Sequence, residues 1–186
     1  MANVDRPNGF KPVKTFSGAP WHSLVRTIGV ADGEDIFIGD IVNLESGLAD
    51  PGATNDTAFL GVAVGFGKVD ADGRPLGAFN PANLNKRFYD DSESTHTEWV
   101  CYYVPVTDCI FEAQTATALT LVVGGTCDLA DAAGNETTGI SAQEITTSSN
   151  ADFEVVEIPK YPDNDPTAVW GRYWVKVVTA EQAFHA

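Results

Sequence analysis

Apolar and polar positions alternate in short runs along most of this chain, and Gly, Pro, Asn and Asp separate the runs. Alternation with period two, bounded by turn residues, predicts strands rather than helices. Residues 98–106, EWVCYYVPV, carry the strongest such signal. Trp99, Cys101 and Tyr103 share one face of that strand, Val100, Tyr102 and Val104 the other. Apolar side chains on both faces fit a strand covered on both sides. Further strands are expected over 24–30, 36–44 with a kink at Gly39, 58–64, 109–113 and 126–130. Residues 139–147 and 152–158 read as a strand pair, and 168–178 as the last strand. Residues 115–123 are ambiguous, threonines favouring strand and alanines helix. Residues 45–57 and 159–166 read as loops, and 74–97 as irregular chain with a short helix starting at Asn80-Pro81 and running toward Arg87. Eight or more short strands predict an all-β fold: one β-barrel or β-sandwich domain, jelly-roll-like. No internal repeat is legible.

The first twenty-one residues break the pattern. Pro7, Pro12 and Pro20 punctuate them, and apolar residues recur at Val4, Phe10, Val13, Phe16 and Trp21. Proline fixes φ and pushes the preceding residue into extended geometry, so residues 1–21 are expected to form an extended arm on a body of residues 22–186. Charge separates the two as well. Residues 1–30 carry Arg6, Lys11, Lys14 and Arg26 against Asp5 alone, although the whole chain has a net charge of −15. A basic, proline-punctuated arm suits contact with another surface; a loose or self-packed terminus has the same composition.

The acidic body lacks the basic footprint that nucleic acid requires, with no Lys or Arg between Arg87 and Lys160. No apolar run reaches membrane-spanning length, and MANVDRPNG lacks the apolar core of an export signal, so a cytosolic site of synthesis and assembly is expected. Cys101, Cys109 and Cys127 show no metal-ligand spacing and read as small buried apolar residues. Residues 70–73, DADG, open like a calcium loop but lack its distal acid, which leaves a plain turn. His22, His96 and His185 are far apart; a Ser–His–Asp set from His96, a loop aspartate and Ser141 has no sequence support beyond its residue types. The acids at Asp90-Asp91, Asp108, Glu112, Asp128 and Asp131 read as a solvated face. No catalytic residue, metal or cofactor is therefore expected. Trp99, Tyr102, Tyr103, Trp170, Tyr173 and Trp174 fit core packing, a sugar-stacking face or an oligomer interface. Trp99, Tyr102, Trp170 and Trp174 are the interface candidates.

The opening A-N-V-D-R-P-N-G-F-K-P-V-K, followed by G-A-P-W, resembles the N-terminus of tailed-bacteriophage capsid decoration (cement) proteins. Shorter patches continue the resemblance: I-F-I-G-D-I-V-N-L (36–44), V-T-D-C-I-F-E-A-Q (106–114), G-T-C-D-L-A (125–130), G-I-S (139–141), and E-I-P-K-Y-P-D-N-D (157–165) to W-V-K-V (174–177). Cys109, Cys127 and the acidic middle depart from it. The resemblance implies a non-enzymatic protein on the outer surface of a bacteriophage capsid, assembled in host cytoplasm. Its partners would be the major capsid protein and itself, a homotrimer first and a homodimer second, with neither nucleic acid nor membrane. On this reading Arg6, Pro7, Phe10, Lys11, Val13, Lys14, Phe16 and Trp21 form the capsid-binding arm, with the apolar members as anchors and the cations as charge partners. The alternative is a tail or fibre module of the virion with a carbohydrate-binding aromatic face.

Overall fold

The computed structural model describes residues 3–5, 8–70, 72, 74, 88–93 and 95–184. The expected helix at Asn80-Pro81 lies outside them, as do Arg6, Pro7 and His185. The fold is all-β. Its strands are β1 (Lys11–Thr15), β2 (Arg26–Gly29), β3 (Ile36–Phe37), β4 (Ile41–Glu45), β5 (Leu48–Pro51), β6 (Phe59–Lys68), β7 (Phe88–Tyr89), β8 (Trp99–Pro105), β9 (Cys109–Gln114), β10 (Thr126–Ala130), β11 (Glu144–Thr147), β12 (Phe153–Glu157) and β13 (Arg172–Val177). They form a six-stranded sheet ordered β1-β9-β13-β12-β10-β11, a five-stranded sheet ordered β2-β8-β6-β4-β5, and the pair β3-β7.

The chain traces one path twice. The first pass is β2, β4, β5, β6, β8; the second is β9, β10, β11, β12, β13. In each pass the second strand lies between the third and fourth, the fourth pairs with the fifth, and the fifth returns to the first. The registers match as well. Ala63 to Gly65 of β6 and Val155 to Glu157 of β12 carry the same bulge against the fifth strand. One parallel bridge curls each sheet back on itself, Val30 to Ala49 in the first pass and Thr115 to Ile145 in the second. The Ala31 amide donates to the Ala49 carbonyl at 2.8 Å, and the Ala116 amide to the Ile145 carbonyl at 3.0 Å. The duplication corrects the reading of a chain without internal repeats.

Side-chain volume hides the repeat. Gly61 occupies the position of Phe153, and Tyr103 that of Val175. A β-carbon on Gly61 would meet the Tyr103 ring at 2.4 Å. Large and small residues have changed places between the halves, so the cores fill equally without shared identity.

The halves pack through an apolar row of the first. Ile41, Val62 and Val104 lie opposite one another across β4, β6 and β8, all fully buried against the second half. The corresponding row of the second half is Thr126, Glu154 and Lys176, open to solvent, with Lys176 and Glu154 paired at 3.1 Å. The second half thus closes the stack with a polar face. Phe59 of the first half and Phe10 both stack on Phe153, at 5.9 and 4.9 Å.

Several sequence expectations change. Residues 36–44 are two strands, split where Gly39 takes φ +95°. The loop 45–57 contains β5, because Ser46-Gly47, both at positive φ, turn the chain into a hairpin. β11 and β12 do not pair with each other; β10 lies between them. Residues 116–123 form neither helix nor strand.

Candidate functional site

β1 lies at the edge of the six-stranded sheet, antiparallel to β9, which joins the opening segment to the body's own sheet. Pairing sets Lys11 opposite Glu112, Glu112 opposite Trp174, and Trp174 opposite Glu157. A register shift between Pro12 and Lys14 displaces Lys14 along the strand. Its ammonium sits 4.6 Å from the centre of the Trp174 ring and 3.6 Å from a Glu157 carboxylate oxygen. The Trp174 indole N–H and the Tyr161 hydroxyl donate to the same Glu112 oxygen, at 3.1 and 2.9 Å. Burial, and then the Glu112 charge, push the Tyr161 phenol above its ordinary range, so it stays a donor. The Arg172 guanidinium lies 4.6 Å over the Tyr161 ring and bonds Asp163 at 2.6 Å. Cation, ring and carboxylate thus alternate across one face of the sheet, each ring held by a charged neighbour.

The 159–170 loop carries Tyr161 and Asp163, and two asparagines pin it. Asn164 donates to the carbonyls of Pro159 and Arg172 and accepts from the Arg172 amide. Asn3 does the same from the opening segment, donating to the carbonyls of Asp165 and Val169 and accepting from the Asp165 amide. The Thr167 hydroxyl and amide hold the Asp165 carboxyl below the usual range. A pocket of about 190 Å³ lies beside this loop, lined by Asn3, Lys11, Gln114, Trp170 and Arg172.

The structure thus gathers Lys11, Lys14, Trp170 and Trp174 on one face. Phe10 is a correction: it is 1% exposed in the core, because Phe153 and the body strands close over it, and it is no surface anchor. Trp99 is the second correction; at 8% exposure it packs edge-on against Tyr89 in the first half's core, and its burial leaves it little surface to offer a partner. Val13 is half-buried, Phe16 is 51% exposed, and Trp21 is half-buried, stacked on His22 at 3.7 Å. Tyr102 is half-buried on the five-stranded sheet. Glu112, Tyr161 and Arg172 were not singled out from the sequence for this face. The only signal was one acid inside the apolar run CIFEAQ, and its partners lie about 50 to 100 positions away.

Other chemistry-bearing groups are tied up locally. The three cysteines are free and buried, and burial pushes the Cys109 thiol up to about 11 and the Cys127 thiol to about 12. Thiols so protonated are poor nucleophiles. His96 pairs with Asp32 at 3.2 Å, whereas Ser141 is buried beside Asp40. An acid-rimmed cavity of about 630 Å³ includes Glu34, Asp35, Asp91 and Asp131. Among the described residues no His, Cys, Asp and Glu group has the arrangement of a metal site, and no helix is long and apolar enough to cross a membrane. No protein-family model, no curated protein and no solved structure matches the chain.

Proposed function

We propose that the chain is a non-enzymatic virion protein that binds the outer surface of a bacteriophage capsid and cements neighbouring major capsid protein subunits. The resemblance of the opening segment to decoration proteins is the origin of this reading. The observation that carries it is the face that the same segment helps to build. Trp174, Tyr161 and Arg172 are of the residue types enriched at protein interfaces and at their energetic centres, and Lys11 and Lys14 set positive charge beside them. The protein works as a closed homo-oligomer at a symmetry axis of the shell, a trimer first and a dimer second, because joined copies raise effective concentration on a repeating surface.

Deleting residues 1–21 would remove Phe10 and β1 from the fold, so point variants make the better test. The full chain is co-sedimented with bare expanded capsids of the phage that encodes it, beside a Lys11→Glu/Phe16→Ser double variant. Saturable pelleting at fixed stoichiometry, weakened at least about tenfold in the variant, is expected. Failure of the full chain to pellet overturns the reading. A tail or fibre module with a sugar-stacking face is the second reading. The Trp174 and Tyr161 rings beside the Glu112 carboxylate favour it, and glycan binding lost in Tyr161→Ala is its test.

A further inference from the structure

The duplication leaves one segment covered in the first half and bare in the second. Three hydrogen bonds align the two copies of this segment. The Gly39 amide donates to the Ala63 carbonyl, and the Gly124 amide to the Val155 carbonyl, each at 2.8 Å. The Ala63 and Val155 amides answer to the carbonyls of Asp40 and Gly125, again at 2.8 Å. The Asp40 amide donates to Phe37, and the Gly125 amide to Val122. Gly39 and Gly124 both take positive φ, +95° and +81°. Ile36-Phe37-Ile38 therefore corresponds to Leu121-Val122-Val123.

In the first half this tripeptide is covered twice. Tyr89 and Phe88 pair with Ile36 and Phe37, and the Phe88 ring stacks on Phe37 at 4.8 Å. Ile38 pairs in parallel with Ile140, donating to the Gly139 carbonyl at 3.2 Å and accepting from the Ser141 amide at 2.9 Å. In the second half no strand or bridge among the described residues pairs with Val122 or Val123, and the two residues are 64% and 63% exposed. The reason lies in the hairpins. Gly139–Ser141 belongs to the long 131–143 connection of the second half, which reaches across to the first. The matching connection of the first half is the two-residue turn Ser46-Gly47, too short to reach back.

The geometry points to Leu121–Val123 as a strand-addition site for an extended segment of a different protein. The segment supplies what Gly139-Ile140-Ser141 supplies to Ile38: a main-chain donor and acceptor flanking one branched apolar side chain. A second copy is the poorer occupant, because its own 139–141 segment is already engaged. The chain's net charge of −15 favours a segment flanked by Lys or Arg. This site is separate from the Trp174 face and stands whether or not that face binds a capsid.

The probe is a synthetic peptide with the 138–142 sequence between lysines, KTGISAK, titrated into the isotope-labelled full chain. Saturable amide shift changes confined to residues 121–125, at millimolar peptide, are expected. They disappear in Val123→Pro, which lacks the donor, and in Val122→Lys, an exposed change that repels the peptide and keeps the fold. They persist in Lys11→Glu, which separates this site from the capsid-binding reading. Absence of saturable shifts at 121–125, or equal shifts in Val122→Lys, overturns the proposal. So does an oligomer that Val122→Lys dissociates, since the segment would then be covered by a second copy.

Discussion

Gly39 and Gly124 hold the same turn in the two halves, so the fold contains its own control for a substitution. Both take positive φ, which disfavours a side chain. A β-carbon on Gly124 would meet nothing within 4 Å, whereas one on Gly39 would sit 2.2 Å from the Asn8 carbonyl oxygen. Gly124→Ala should therefore cost about 1 kcal/mol and Gly39→Ala at least about 3 kcal/mol, because a backbone carbonyl must shift. Urea unfolding of the two variants measures the difference; equal costs would show that the opening segment does not lie against Gly39. Asp40 and Asp152 are 3% and 0% exposed, and burial raises their carboxyls to about 6 against hydrogen bonds that pull the other way. In the unfolded chain they titrate near 3.9. Between those values the folded state binds more protons, so the unfolding free energy rises as pH falls from about 7 toward 4. Asp128 acts in the opposite sense. Burial raises it, but the Ser149, Asn150 and Ala151 amides and the Ser149 hydroxyl hold it below the usual range, and its contribution is lost at still lower pH. Melting temperature should peak on the acid side of neutrality, and Asp152→Asn should flatten the slope between pH 5 and 7. A melting temperature that rises steadily with pH over that window would contradict the assignment.

At the scale of elements, β1 decides how the opening segment behaves. It covers the free edge of β9, and Phe10 just before it plugs the core at the stacked Phe153. Deleting residues 1–15 exposes that edge and removes a fully buried phenylalanine, a loss of about 3–5 kcal/mol from the ring alone. The truncated chain should lose amide exchange protection along β9 and aggregate, while Lys11→Ala stays within about 0.5 kcal/mol of the parent. Native-like protection in the truncated chain would show the segment to be a dispensable arm. The proline spacing made the extended geometry of this segment legible, but nothing local announced its destination. Lys11 and its partner Glu112 are about 100 residues apart, and only the folded sheet brings them together. The strand over residues 98–106 was legible because its apolar residues meet a core on each face: Trp99, Cys101 and Tyr103 on one side, Val104 on the other. β5 was hidden because its sequence LADP has neither alternation nor β-branched residues, and its hairpin partner holds it in place.

The repeat belongs to the whole molecule, and its invisibility in the sequence has a physical cause. Core packing constrains summed volume, so Gly61 with Tyr103 and Phe153 with Val175 satisfy the same space in opposite ways. Polarity is constrained by what each half faces. The Ile41-Val62-Val104 row is apolar because the second half covers it, and Thr126-Glu154-Lys176 is polar because water does. What survives as sequence is little more than the Gly39 and Gly124 turns and the Leu44 and Leu129 that follow them five residues later. A strict two-domain protein built this way would unfold in two steps. Here Phe10, Phe59 and Phe153 form one stack drawn from the opening segment and both halves, and a single buried cluster runs through the junction. Loss of the second half would expose the Ile41-Val62-Val104 row, and loss of the first would uncover Phe153, so one cooperative transition is expected. Intrinsic fluorescence, followed separately with Trp99 and with Trp174 replaced by Phe, should give coincident urea midpoints for each variant when compared with its own circular dichroism. A fluorescence transition that separates from the circular dichroism transition in either variant would mean that the halves unfold independently. The Phe59–Phe153 contact would then be a docking surface between two folded units.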